Sequence, residues 1–322
     1  MKTLRGVDSV PQNWPASALS IGKFDGVHTG HRAVIAELEA IATQHDLASV
    51  VVTFDRHPLA LLAPKACPSE LVSAEQKLTL IASTGVDATL MLEFDEALSS
   101  LSAREFIERI LVKALHARFI LVGRDFRFGL GGAGDVALLG ELGAEFNYNV
   151  RIIDDVMPDG DRRVSSTWIR ELLGTGAVAE AGRLLGHLPT VRGVVVHGAA
   201  RGRELGFPTA NLSAESEGLI PADGVYAGWL TDAGRRYPAA ISVGNNPTFN
   251  GVAQKQVEAY VLDEVDLDLY DHVVDVSFVD RIRGMVAYSG IEPLIAQMHD
   301  DVWRARPILG QRPETLGAFT VL

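Results

Sequence analysis

The hydrophobic rhythm of this chain changes once, near residue 187, and that change limits what it can fold into more than any other feature. From Ala18 to about Gly186, short apolar runs alternate with segments of helical period, the pattern of parallel strands joined by crossover helices. Ala18–Ile21 reads as a strand, and residues 31–46 read as a helix with Val34, Ile35, Leu38, Ile41 and Ala42 on one face. ASVVVTF (48–54) is the next buried strand. The cycle continues with a strand over 87–94, a helix over 102–115, a strand over 118–123, a short helix over 136–142 and a strand over 149–155. Beyond His187 the helical period fades. RGVVVHG, GVYAGWL, PAAISVG, QVEAYVL and HVVDVSFV then follow at turn-bounded intervals, as in a small antiparallel barrel. A last helix, from Ser289 to about Arg306, carries Ile291, Leu294, Ile295, Met298 and Val302 at helical spacing. The expected fold is an α/β doubly wound domain over residues 1–186, followed by a small antiparallel β-barrel domain with a C-terminal helix over residues 187–322.

Composition narrows the function. With 29 Lys+Arg against 41 Asp+Glu the net charge is -12, which opposes non-specific attraction to nucleic acid or anionic lipid, so neither partner is expected. An OB-like nucleic-acid barrel would also show aromatic platforms amid basic residues, and few such clusters occur. Cys67 is the single cysteine, which excludes intrachain disulfides and multi-cysteine metal sites and fits a reducing compartment. The first residues lack the apolar core of a signal peptide, and no run approaches the ~20 apolar residues of a membrane span. A cytoplasmic protein is expected, and a homo-oligomer is compatible with the chain.

The segment SIGKFDGVHTGHRAVI (20–35) runs from a buried strand through glycines into a helix. Gly22, Gly26 and Gly30 let the backbone approach a ligand, and the helix amino end favours an anion, most obviously phosphate. His28 and His31, three apart, could both donate to phosphate oxygens and stabilise charge on a departing pyrophosphate. By spacing alone the histidines could also cap the helix, or hold a metal for which no third ligand is evident. In the second half, HGAARGRELGFPTANL (197–212) joins glycines Gly198 and Gly206 and the cation Arg201 to Pro208, Thr209 and Asn211. It is not a Walker A loop, since the Gly-Lys-Ser/Thr ending is missing. Thr209 and Asn211 offer two neutral oxygens suited to a nucleotide's Mg²⁺, although a capped turn with solvated arginines has the same spacing. Glu258 alternates with apolar neighbours in QVEAYVLD, either as a surface carboxylate or as a base for phosphoryl transfer to an alcohol.

These segments resemble a known family. GKFDGVHTGH (22–31), TFDRHP (53–58), VGRDFRFG (122–129) and RVSSTWIR (163–170) look like the successive signatures of the bacterial FMN adenylyltransferase module, of the nucleotidylyltransferase superfamily with an HxGH signature. RGRELGFPTAN, PADGVYAG (221–228), SVGNNPTF (242–249) and QVEAYVLD (256–263) resemble the riboflavin kinase module in the same order. Together they cover nearly the whole chain and point to the prokaryotic bifunctional riboflavin kinase/FAD synthetase family. The resemblance implies that ATP phosphorylates riboflavin to FMN and then adenylylates FMN to FAD with release of pyrophosphate, both steps with Mg²⁺. It implies that His28 and His31 meet the ATP phosphates, within an ATP site comprising Gly22, Phe24, Asp25, Gly26, Gly30, Arg163, Ser166 and Thr167. Asp125 would sit at the flavin. In the kinase half, Thr209 and Asn211 would bind MgATP beside Gly198, Arg201, Gly206 and Pro208, and Glu258 would be the general base. Asn246 and Thr248 would shape the flavin pocket and Arg283 would contact substrate phosphate. Lys23 departs from the family pattern, standing where a small or apolar residue is usual.

Overall fold

A computed structural model describes residues 1–158, 160–197, 206–246, 254–264 and 267–310. The chain divides into two compact units, Met1–Ser166 and Thr167–Leu322.

The first unit is built on six parallel strands: β1 (Lys2–Arg5), β2 (Ser17–Ile21), β3 (Ala48–Phe54), β4 (Ala88–Leu92), β5 (Ala117–Gly123) and β6 (Asn149–Ile153). Their order is β1-β4-β3-β2-β5-β6. Every residue of β2 is buried, as a parallel strand covered on both faces requires. Successive residues serve opposite cores. Leu19, Ile21, Val50 and Val52 join one cluster with Ile107 and Leu111, whereas Ala18 and Val51 join another with Ile35, Leu38 and Ile81. The helix α1 (Thr29–His45) supplies Ile35, Leu38 and Ala42 to that second face. From β2 the chain builds outward through β3 and β4, and later returns to lay β5 on the other side of β2. The crevice past the carboxyl end of β2 is therefore the switch point where open α/β sheets bind ligands.

Four features of this unit depart from the expected elements. β1 has a single buried residue, Leu4, so its sequence carries no apolar run. The helix α2 (Ala74–Ala82) begins at a capping box made by Ser73 and Gln76. The expected helix over 102–115 forms as α3 (Ala103–Phe106), which passes into a wider π-helical stretch over Ile107–Ala114. The short helix expected over 136–142 runs further, as α4 (Val136–Phe146), and ends at Asn147 in a left-handed conformation.

The second unit opens one residue into α5 (Ser166–Thr175) and continues with α6 (Val178–Leu185). Both belong to the barrel's unit although the rhythm change falls after them: Ala222 N donates to Leu173 O, and the Arg281 guanidinium donates to Thr175 O. Six strands follow, β7 (Thr190–Val196), β8 (Thr209–Leu212), β9 (Gly224–Asp232), β10 (Arg235–Asn246), β11 (Gln254–Val261) and β12 (Val273–Arg283), closed in the order β10-β11-β8-β7-β12-β9. The sequence pattern shows five of them; the sixth, β8, is the TANL segment itself. Alternate residues point inward, so that Val191, Val195, Ala210, Leu212, Val257 and Ala259 are all buried. At Gly228 a Cβ would lie 2.2 Å from Ser277 O and 2.3 Å from Ile241 Cδ1, so only glycine fits between the strands there. Among the described residues no helix is long and apolar enough to cross a membrane.

The final helix, Ile291–Ile308, is fastened to the barrel by Arg283, whose Nε and terminal nitrogen each donate to the Asp301 carboxylate at 2.7 Å. Asp301 is buried, and breaking such a pair costs about 3–5 kcal/mol because the guanidinium is left uncompensated. Asp301→Asn is expected to lower the urea midpoint of the barrel by a corresponding amount. An unchanged midpoint would show that the fork adds nothing.

Candidate active sites

The turn leaving β2 is bent by three left-handed residues, Phe24 (φ 49°), Gly26 (φ 81°) and Val27 (φ 40°), and two of these carry side chains in a region that L residues rarely occupy. Packing sustains it: Phe24 and Val27 are buried, Gly22 N donates to Val52 O, and a Cβ on Gly22 would press at 3.2 Å on the Phe24 ring. The buried Asp25 accepts from Leu71 N at 2.9 Å, and its carbonyl accepts from Ser166 Oγ at 2.9 Å. Helix α1 begins at Thr29 with His28 as its cap, the imidazole Nδ1 accepting from His31 N at 3.3 Å. One histidine is thus the cap, and the second stacks on it, ring centroids 3.6 Å apart and planes 15° off parallel. A Cβ on Gly30 would meet the His28 ring at 3.2 Å.

This pairing sets the charge of the site. His31 titrates well below the ordinary histidine value, through burial first and then through the electrostatic influence of His28, Lys23 and Lys77 beside it. His31 Nδ1 is buried without a hydrogen-bond partner. Lys77, on α2, is itself buried and donates to Phe54 O at 2.9 Å; burial pulls its ammonium below the ordinary lysine value. Arg163 reaches Asp125 at 2.9 Å and Asp155 at 3.5 Å, and its hydrogen bond holds the Asp125 carboxyl below the usual range. Ser166 closes the first unit, whereas Thr167 opens the second.

Beside the turn lies a cavity of about 510 Å³ lined by Lys23, His57, Asp125 and five phenylalanines, Phe54, Phe94, Phe106, Phe126 and Phe128. Phe54 and Phe94 meet edge to face at 5.5 Å, and Phe126 and Phe128 stack at 5.3 Å. The sequence reading misses this aromatic lining. Its residues come from separate segments, and only the shared FRF of 126–128 gives a local signal.

On the barrel, Thr209 and Asn211 occupy outward positions of β8, while Ala210 and Leu212 between and after them point inward. Register pairs Asn211 with Glu258 on β11, and Glu258 in turn with Ser242 on β10. Residues directly opposite share a face, so a threonine, an asparagine and a glutamate project from one patch of the barrel wall. Asn211 Nδ2 donates to Thr209 O at 3.1 Å, which turns the amide oxygen away from that residue. Pro208 and Thr209 line a cavity of about 630 Å³ with Val195, Leu269 and Tyr270. Gly206 (φ 84°) takes the left-handed conformation just before them. Asn246 ends β10, its side chain outside what is described, and Gly198, Arg201 and Thr248 lie outside the described residues. The expected substrate contact of Arg283 is not what its hydrogen bonds describe: its guanidinium is taken up by Asp301 and Gly284 O.

Comparison with known proteins finds a likeness along both halves of the chain. A family model described as FAD synthetase matches residues 10–168, and one described as riboflavin kinase matches residues 185–309. A curated bifunctional riboflavin kinase/FMN adenylyltransferase of Escherichia coli K12 is 37% identical, over 96% of this chain and 98% of its own. Its counterpart in Pseudomonas fluorescens is 35% identical over 96% and 98% of the two chains. A solved structure from Streptococcus pneumoniae, described as a macrolide-efflux protein, superposes with a TM-score of 0.85 at 32% identity, covering 95% of this chain and 99% of that one. With likeness running through both units, the chain belongs to the bifunctional riboflavin kinase/FMN adenylyltransferase family.

Proposed function

We propose that the barrel patch performs phosphoryl transfer and the β2 turn performs adenylyl transfer, in an enzyme that converts riboflavin and ATP to FMN and ADP, and FMN and ATP to FAD and pyrophosphate. We place the functional division at residues 1–186 and 187–322, a reading supported by family matches that cover residues 10–168 and 185–309 separately, although the compact units divide earlier, after Ser166.

In the kinase, Glu258 accepts the proton of the riboflavin 5'-hydroxyl as its oxygen bonds to the γ-phosphorus and the bond to ADP breaks. The flanking pairings with β8 and β10 fix the backbone of Glu258 and the face from which its side chain projects, which supports this role, because a base must stay within reach of one proton. The oxygens of Thr209 and Asn211 are hard, neutral donors that suit Mg²⁺ shared with nucleotide phosphates. They would hold it there, and when bound it neutralises phosphate charge.

In the adenylyltransferase, an FMN phosphate oxygen bonds to the α-phosphorus of ATP and pyrophosphate leaves. The His28–His31 stack at the amino end of α1 supplies ring N–H donors for that charge, with Ser166 and Arg163 nearby and Asp125 on the flavin side. The aromatic cavity would seat the flavin ring. Neither reaction needs nucleic acid or a membrane, and a cytoplasmic setting suits the lone Cys67.

Incubating the intact protein with riboflavin, ATP and Mg²⁺ and separating the flavins by chromatography tests the reading, which requires both FMN and FAD. His28→Ala or His31→Ala is expected to slow FAD formation about 10²- to 10³-fold while FMN formation stays near normal. Equal loss of both would mean misfolding. Glu258→Gln should lower FMN formation about 10²- to 10⁴-fold and spare FAD formation from supplied FMN. A kinase rate near wild type would leave Glu258 a structural residue. The histidine stack adds a proton-linked expectation. With His31 held below its ordinary value of 6.5 in the folded chain, the unfolded chain binds more protons just under that value, so the first unit should lose stability as pH falls through it. Bound ATP, being anionic, should move the His31 titration upward in an NMR titration; no movement would place the phosphates elsewhere.

A further inference from the structure

Lys23 and His57 face each other across the mouth of the aromatic cavity, Nζ 3.4 Å from Nε2. The contact cannot be an ordinary hydrogen bond. His57 Nδ1 accepts from Leu59 N at 3.1 Å, which puts the ring proton on Nε2, and an ammonium is a donor only. Two donors converge, and neither can accept from the other. The arrangement is held from behind: His57 N donates to Glu70 Oε1 at 2.9 Å, and the buried Thr53 Oγ1 donates to Lys23 O at 3.1 Å.

The arginine of the cavity wall, Arg127, is already matched by Asp135 at 3.4 Å, and Asp125 of the same wall is matched by Arg163 at 2.9 Å. Lys23 has no carboxylate at ion-pair distance among the described residues. Its charge therefore stands at the rim of an apolar cavity, on the same turn as the histidine stack. A ligand that fills the cavity with a flat ring and carries a terminal phosphate would bring one anionic oxygen to both donors.

We propose that Lys23, with His57, is the phosphate-recognition pair that lets the adenylyltransferase site distinguish a phosphorylated flavin from an unphosphorylated one. The inference rests on the assignment of the cavity to the flavin. A charged hydrogen bond at this rim would affect binding of FMN and leave an uncharged flavin alone, and its removal is expected to cost about ten- to a hundredfold in affinity.

The test measures FAD synthesis by the intact enzyme, with lumiflavin, the ring without a side chain that could be phosphorylated, as competitor of FMN. Lys23→Met should raise the KM for FMN about ten- to a hundredfold, leave the inhibition constant of lumiflavin unchanged, and respond little to added salt where the wild type responds strongly. Lys23→Arg should keep most of the wild-type discrimination. An unchanged KM for FMN, a parallel rise of the KM for FMN and the lumiflavin constant, or a rise confined to the KM for ATP would each overturn the inference. Wild-type enzyme that makes no FAD from FMN would instead overturn the reading on which it rests.

Discussion

Hydrogen bonding of β2 on both sides, to β3 on one and β5 on the other, is the constraint on which the adenylyltransferase half depends. A strand held in this way cannot turn along the sheet when it ends. It must leave through the crevice at its carboxyl edge, by a turn that buries Phe24 and Val27 on left-handed backbone. The cost appears as Val27, a buried β-branched residue at φ 40°, in a conformation that costs of order 1–3 kcal/mol. Apolar packing on both faces of the sheet supplies what the turn loses, so the core and the site are coupled through a few residues.

How much of this was legible in the sequence depends on how local each signal was. Alternation of apolar runs and helical period exposed β2 through β6 because each element carries its own pattern. β1 was silent because one buried leucine makes no pattern, and α2 was silent because its cap, Ser73 with Gln76, precedes a helix with only a short apolar stripe. At the site, the histidine pair was visible as a motif, but its stacking and the burial that lowers His31 are products of packing. The five-phenylalanine cavity leaves little trace in the sequence beyond the FRF of 126–128, because most of its members meet only after the sheet is assembled.

The barrel shows a different limit. Thr209 and Asn211 are legible as oxygen donors, yet nothing in the pattern marks their segment as a strand, since four residues offer too little alternation. What makes them a site is the register with β11, a long-range fact that places Glu258 across from Asn211. Arg283 illustrates the reverse case. A cation near a substrate segment looks like a ligand, and its partner, Asp301, lies on a helix whose docking only the fold reveals.

β8 has just four residues, with Thr209 and Asn211 on one face and Ala210 and Leu212 on the other. Side chains alternate with a period of two, so inserting or deleting a single residue ahead of Asn211 within this strand exchanges the faces. The oxygen donors would then enter an apolar interior and two aliphatic groups would face water. Changes of length in this part of the chain are therefore tolerable only outside the strand, and β8 acts as a fixed ruler against which the rest of the kinase half can vary.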